Sequence, residues 1–132
     1  MPSLVPGANA FPDDLMQFVG TSIKSVWTLE LLLYLRRAAG RTCSSAELVR
    51  ELRASDAIVT DGVSSLHKAG LVVSDGLGNV RYAPVSATFD RLVQQLAQLY
   101  RERPVMVTNA IFAGPDRKLQ TFADAFRLKK ED

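Results

Sequence analysis

Cysteine, histidine and long apolar runs are scarce in this sequence. It contains one cysteine, Cys43, and one histidine, His67. A lone cysteine forms no disulfide within the chain. Together, Cys43 and His67 are fewer than the three or four nitrogen and sulfur ligands that zinc usually takes. The most apolar stretch, residues 29–35, is short and contains Glu30, so no membrane span is expected. We therefore expect a cytoplasmic protein in a reducing environment, without a metal.

The charge of the chain is also nearly balanced. Sixteen basic and 14 acidic side chains leave a net charge of +2, too small an excess to indicate nucleic acid by itself. A chain of 132 residues is long enough for one domain with a sizeable core. Residues 1–14 hold three prolines and lack the basic and apolar regions of a secretion signal. We expect a flexible arm over 1–14 that becomes helical near Leu15, a compact domain over 15–85 and a helical extension over 86–132.

Two helices are predicted before residue 55. Apolar side chains recur at helical spacing over 22–38, which predicts one helix buried on more than one side. The second helix is predicted to begin at Ser44-Ser45-Ala46-Glu47 and to run to about Arg53. In this capping-box pattern, the Ser44 hydroxyl accepts from the Glu47 amide while the Glu47 side chain reaches back. The apolar residues of the first helix are Ile23, Val26, Trp27, Leu31, Tyr34 and Leu35.

A third helix and a β-hairpin follow. Ser55 is placed to cap the helix, and Gly70 stands where a helix commonly ends in a left-handed conformation. Two β-prone runs, 71–74 and 80–83, are separated by a turn-rich segment that contains two glycines, which predicts a hairpin. The connector over 41–43 is expected to be extended and able to pair with it. The inward side chains of the third helix are predicted to be Val59, Val63 and Leu66.

The C-terminal third carries more apolar surface than one small core needs. A strongly amphipathic helix is predicted from Ser86 to Arg103, where Pro104 must end or kink it. Shorter helices are expected at about 105–113 and 116–130. Homodimerisation is the economical explanation of the surplus, and folding back onto the first helix within a monomer is the alternative. The residues expected at the dimer interface are Phe89, Leu92, Leu96, Leu99, Tyr100, Phe122 and Phe126.

The order helix, short strand, helix, helix, hairpin, long helix is similar to a known superfamily. Residues 22–84 resemble the winged helix-turn-helix proteins, in the style of the MarR and PadR type regulators. The resemblance implies a mainly α fold with a small β-hairpin wing (α+β), a winged helix-turn-helix core and added C-terminal helices. The matching residues are Ser44-Ser45-Ala46-Glu47-Leu48, Ser55, Leu66-His67-Lys68-Ala69-Gly70-Leu71-Val72 and Arg81-Tyr82.

The function that the resemblance implies is DNA binding. In that superfamily the third helix generally enters the major groove and the wing tip contacts the backbone or the minor groove. We therefore expect a homodimeric transcription regulator that binds double-stranded DNA without a cofactor or metal. The expected contacts come from the third helix, the wing and the basic side chains near helix two: Arg41, Ser44, Arg50, Arg53, Ala57, Thr60, Ser64, Lys68 and Arg81.

The distribution of charge favours an alternative. Residues 55–85 contain two basic and three acidic side chains, with Asp56 and Asp61 on the expected groove face of the third helix. The basic excess lies over 22–54, with six basic against three acidic side chains. Because neutralised phosphates supply much of DNA affinity, a winged-helix module that binds a basic protein instead of DNA is the second hypothesis.

No pattern typical of an enzyme is found in the sequence. It contains no nucleophile elbow and no pair of metal-ligand motifs. Residues 76–78, Gly-Leu-Gly, resemble a nucleotide-binding loop only superficially, because they join two strands instead of opening a helix. We therefore expect a binding protein.

Overall fold

The computed structural model describes residues 13–113. Within this range the chain is mainly helical and contains one small sheet. Expectations for residues 1–12 and 114–132, which include the last predicted helix with Phe122 and Phe126, lie outside the described residues. The elements are α1 (Asp13–Ser22), α2 (Val26–Arg37), β1 (Cys43–Ser44), α3 (Ser45–Leu52), α4 (Asp56–Lys68), β2 (Val72–Ser74), β3 (Asn79–Tyr82), α5 (Ala87–Glu102) and α6 (Pro104–Ala113).

The sheet has three antiparallel strands in the order β1-β3-β2. Cys43 of β1 lies opposite Val80, and Val72 of β2 lies opposite Tyr82. The hairpin and the pairing of the extended connector are thus both confirmed. Along β3, Val80 and Tyr82 are buried while Arg81 is exposed, which is the alternation expected of a sheet with one face on the core. This α+β arrangement is compatible with a winged-helix fold.

The first predicted helix is wrong in its extent. The helical spacing over 22–38 is interrupted at Ser25, whose extended backbone and side-chain acceptor for the Thr28 amide make it the N-cap of α2. A separate helix, α1, comes before the break and begins at Asp13, two residues before Leu15, where the arm is expected to become helical. Trp27 is also not inward, because 42% of it is exposed.

Serine caps begin three of the other helices. The hydroxyls of Ser44, Ser55 and Ser86 each accept a hydrogen bond of 3.1 Å from the amide three residues further on. Replacing such a cap with alanine typically costs about 1 kcal/mol. At the other end of α4, Gly70 has a φ of +81°, which glycine adopts without steric cost. The helix boundaries predicted from Ser44, Ser55 and Gly70 are confirmed.

The packing of α4 on α2 depends on a glycine. Val59 and Leu66 are buried, and Val63 is partly buried against the core. Between them Gly62 faces α2 so closely that a Cβ atom there would lie 2.8 Å from Cδ2 of Leu31. At this separation of the two helices, a side chain at residue 62 would fit only if the buried Leu31 side chain shifted.

The helices after the hairpin pack on α1 and α2 of the same chain. The rings of Phe18 and Phe89 have centroids 5.9 Å apart, and Leu96 is fully buried. The phenol of Tyr100 donates a 2.7 Å hydrogen bond to Glu30. Part of the apolar stripe of α5 is therefore already covered within one chain. Leu92 and Leu99 are partly buried against the same core.

The described helices are short. No single helix within residues 13–113 is long and apolar enough to span a membrane. The helices α1 and α2 reach that length and hydropathy only as a pair, and they are bent by 104° relative to each other.

Candidate nucleic-acid interface

One face of α4 is exposed along its whole length. Ala57, Thr60, Ser64 and Lys68 all lie on the solvent side, as the sequence predicts. The helix is presented by a turn of three residues after α3, in which Arg53 adopts a left-handed conformation with a φ of 54°. Because the opposite side of α4 is fixed to α2, this polar face has a defined orientation on the protein.

The exposed face of α4 borders a cleft that it shares with the hairpin. The cleft has a volume of about 450 Å³. Four hydroxyl side chains and one imidazole contribute to its lining, and no aspartate, glutamate, lysine or arginine does. It is therefore a groove between a helix and a hairpin whose lining has no carboxylate, lysine or arginine and sets hydroxyl groups among mostly apolar surface. The lining residues are Ser45, Thr60, Val63, Ser64, His67, Ser74, Gly76, Gly78 and Val80.

The tip of the hairpin is ordered by Asp75. Its carboxylate accepts from the amide of Leu77 at 2.7 Å and from the amide and side chain of Asn79 at 3.2 and 2.8 Å. These bonds, the Asn79 side chain first, hold the pKa of Asp75 below its ordinary value. The tip leaves Leu77 85% exposed, so the hairpin presents an apolar side chain to solvent or to a partner.

A second set of bonds ties the tip to the start of α3. The backbone amide and the hydroxyl of Ser45 donate to the Gly78 carbonyl at 2.7 and 3.0 Å. A Cβ atom on Gly78 would lie 3.1 Å from the Ser45 hydroxyl, and its φ is +93°. Because the same Ser45 begins α3, the hairpin and the α3–α4 pair keep a fixed separation.

The two aspartates of α4 lie apart from this cleft. Asp61 lines a different cleft, with Lys24 and Trp27 of the α2 end, while its neighbour Thr60 faces the hairpin. Asp56 is exposed in the first turn of α4, where a carboxylate interacts favourably with the helix dipole. The sequence places Asp61 and Thr60 on one groove face, and the structure places them at its two opposite borders.

Arg41 is paired within the chain. Its guanidinium donates to both oxygens of Glu47, at 3.0 and 2.8 Å, and the Tyr34 phenol donates to the same carboxylate at 2.6 Å. The predicted capping box is therefore only half formed: Ser44 caps α3, but Glu47 turns to Arg41 and Tyr34 instead of reaching back. The Arg41 bonds, followed by the Tyr34 bond, lower the pKa of Glu47 to about 2.

The other predicted basic contacts are exposed. Arg50 lies 3.5 Å from Glu51 in a solvent-exposed ion pair, an arrangement that contributes little stability. Arg53 and Lys68 are exposed at the ends of α3 and α4, and Arg81 is exposed on the outer side of β3. The hydroxyl of Ser44 is used by the helix cap, so it is a structural residue in this fold.

Sequence reasoning missed three of the polar side chains that line the cleft. Ser45, His67 and Ser74 line it although none of them is in the predicted contact set. The sequence does contain a signal for His67, because it lies seven residues after Thr60, about two helical turns further along the same face. No local pattern in the sequence identifies Ser45 or Ser74, since their position depends on the pairing of strands distant in the chain.

No protein family, curated protein or solved structure matches this chain. Within residues 13–113, no group of three or more histidine, cysteine, aspartate or glutamate side chains is arranged to hold a metal ion. Cys43 is fully buried, and its burial raises the pKa of the thiol. The candidate site therefore rests on the geometry of α4 and the hairpin.

The Glu47 contacts predict a pH dependence of stability. Because the pKa of Glu47 is lowered to about 2 in the folded chain, its contribution is complete above its ordinary pKa of about 4.5 and is lost as the pH falls towards 2. Glu47→Gln should therefore be less stable than the wild type at pH 7, and this difference should shrink between pH 4.5 and 2. Urea midpoints across that range measure it.

The control for this experiment is Glu51→Gln, which removes an exposed carboxylate from the same helix. It should follow the wild-type pH dependence closely. A Glu47→Gln variant whose midpoint changes with pH in parallel with the wild type would contradict the pairing with Arg41 and Tyr34.

Proposed function

We propose that this chain is a DNA-binding protein of the winged-helix type, in which α4 enters the major groove and the β2–β3 hairpin is the wing. The observation that carries the proposal is the shared cleft: the exposed face of α4 and the hairpin border one groove that contains hydroxyl side chains and no carboxylate. A phosphate backbone can lie against such a groove without repulsion from a carboxylate in its lining.

The residues on this surface fall into two kinds. Thr60 and Ser64 can exchange hydrogen bonds with base edges, although short hydroxyls discriminate weakly between bases. Arg50, Arg53 and Lys68 are exposed cations beside the same face, suited to phosphates. The guanidinium of Arg41, in contrast, is paired with Glu47, so Arg41 is not among the proposed primary phosphate contacts.

These roles predict different effects on DNA affinity. Arg50→Ala and Arg53→Ala should each weaken binding to all sequences alike and reduce the slope of log affinity against log salt by about 0.9. Thr60→Ala and Ser64→Ala should change the preference between sequences and leave the salt slope as it is. Fluorescence anisotropy with two unrelated duplexes in a salt series measures both quantities.

Arg91→Ala is the matched control, because Arg91 is an exposed arginine on α5, outside α4 and the hairpin. It should bind DNA as the wild type does. Equal weakening by Arg91→Ala and Arg53→Ala would show that net charge alone drives binding and would remove the assigned surface.

We also propose that the chain is a homodimer through its C-terminal helices. Val105 and Phe112 on α6 are 70% and 57% exposed, which leaves apolar surface for a second copy. Leu96 is buried within its own chain and does not contribute. Light scattering at micromolar concentration should give twice the 14.5 kDa chain mass; a mass of one chain would rule out the dimer.

A second candidate function is protein binding, and one surface favours it. Trp27 and Ile58 are 42% and 36% exposed, and they border the same cleft as Lys24 and Asp61. Tryptophan is among the residues that most often carry the binding energy of protein interfaces. This surface lies on the side of α4 away from the hairpin.

A further inference from the structure

A separate cleft lies between α2 and α5. It has a volume of about 260 Å³, and three arginines line it: Arg36 and Arg37 at the end of α2, and Arg101 near the end of α5. Its other polar side chains are Glu30 and Tyr100. None of these residues lines the cleft between α4 and the hairpin, so this arginine cleft is a distinct feature of the surface.

The arginine cleft keeps an excess of positive charge. Among the described residues, the ion pairs are Arg41 with Glu47 and Arg50 with Glu51, so none of the three cleft arginines is paired with a carboxylate there. The one carboxylate in the lining, Glu30, accepts a 2.7 Å hydrogen bond from Tyr100. The cleft thus holds three arginines, of which Arg36 also lies close to Tyr82, and one carboxylate that is already engaged.

Two of the contacts fix the shape of the arginine cleft. The bond between Tyr100 and Glu30 joins α5 to α2 across residues that are 70 positions apart in the sequence. The same bond raises the pKa of Tyr100 to about 12. The guanidinium of Arg37 lies over the ring of Tyr34 at 6.0 Å, a stacking geometry that restrains a long side chain.

We propose that the arginine cleft binds a phosphate group. The planar guanidinium presents paired donors that match phosphate oxygens, and arginine is over-represented where proteins bind phosphate in this bidentate way. Glu30 uses Oε2 for Tyr100, which leaves Oε1 to accept from a hydroxyl group next to the phosphate. The site fits the phosphate of a small hydroxylated ester or of a nucleic-acid backbone, and it does not depend on the proposed function of α4.

The test is a titration of the full chain with inorganic phosphate at constant ionic strength, followed by ³¹P NMR. Saturable binding is expected in the wild type. Arg37→Gln and Arg101→Gln should each weaken it by about tenfold or more, as for the loss of a charged hydrogen bond, and Arg101→Lys should weaken it less than Arg101→Gln. Arg91→Gln, an exposed arginine of α5 outside the cleft, is the matched control and should bind as the wild type does.

Thermal unfolding without phosphate checks that each variant is folded. Absence of saturable binding in the wild type, or equal weakening by Arg91→Gln, would overturn the proposal.

Two competitors identify the source of the phosphate. If glycerol phosphate displaces inorganic phosphate and a DNA duplex does not, the site serves a free phosphate ester. If the duplex displaces it and Arg101→Gln weakens duplex binding, the site holds a nucleic-acid backbone. Displacement by neither competitor would overturn the proposal, since a phosphate site of this kind must accept one of them. Thr60→Ala should leave phosphate binding unchanged, which separates this site from the proposed function of α4.

Discussion

Gly62→Leu should lower the free energy of unfolding by about 3 kcal/mol, at the upper end of the usual cost of overpacking a core. A Cβ atom at this position would already lie 2.8 Å from Leu31, and leucine adds three further carbons. The better helix propensity of leucine offsets somewhat less than about 1 kcal/mol of this cost. Urea unfolding of the variant measures the change.

A double substitution tests whether Leu31 is the residue in the way. Leu31→Ala alone should cost about 2 to 5 kcal/mol, because it leaves a cavity in the core. The double variant should lose less stability than the sum of the two single losses, by about 1 to 3 kcal/mol. The new leucine on α4 would fill the space that the truncated Leu31 leaves on α2. Strict additivity would contradict the direct packing of α4 on α2.

Ala57→Leu is the control for this series. It places the same leucine on the same helix, but on the exposed face. Its stability should stay within about 0.5 kcal/mol of the wild type, as is usual for surface substitutions. A large loss there would show that α4 tolerates leucine poorly for reasons unrelated to Leu31.

Asp56→Asn combined with Asp61→Asn should strengthen non-specific DNA binding by roughly sevenfold at low salt. A carboxylate about 7 Å from a phosphate in water weakens binding by two- to threefold, and both aspartates border the exposed face of α4. The gain should shrink as salt screens the repulsion. Anisotropy with one mixed-sequence duplex at two salt concentrations measures it.

The same double substitution discriminates between the two candidate functions. If the face beside Asp61 and Trp27 binds a basic protein, removal of the two charges should slow association most strongly at low salt. Trp27→Ala should then abolish that complex, because a buried tryptophan anchor typically carries much of the binding energy. DNA affinity unchanged by the aspartate substitutions would contradict the placement of α4 in the groove.

Much of the fold could be predicted from local signals. Ser44, Ser55 and Gly70 act through hydrogen bonds and backbone angles within four residues, so the sequence alone identifies them. The hairpin follows from its two glycines and the apolar runs around them. These signals also place Thr60 and Ser64 correctly on the exposed face of α4.

The wrong predictions concern residues whose structure depends on contacts with residues distant in the sequence. The spacing of apolar residues continues through Ser25, so periodicity could not locate the break between α1 and α2. Glu47 fits a capping box locally, but Tyr34, 13 residues away, and Arg41 hold it more strongly. Trp27 has helical spacing with its neighbours, yet its exposure depends on how α3 and α4 pack around α2.

The apolar residues after Pro84 predict a dimer interface because the sequence does not show how many of them pack against α1. The structure shows that Leu96 is buried by its own chain. The exposed side chains of α6, Val105 and Phe112, carry the dimer proposal instead.

The central claim is that α4 and the hairpin bind DNA, and a salt titration of the wild-type chain tests it most directly. Anisotropy of a fluorescent mixed-sequence duplex should show saturable binding, with a dissociation constant of about 10⁻⁴ to 10⁻⁶ M near physiological salt. Contacts from Arg50, Arg53 and Lys68 should give a slope of log affinity against log salt of about −2.7 per chain. Absence of binding at about 100 μM protein, which equals the weakest dissociation constant of that range, and at about 50 mM salt, where binding is stronger than at physiological salt, would contradict the claim.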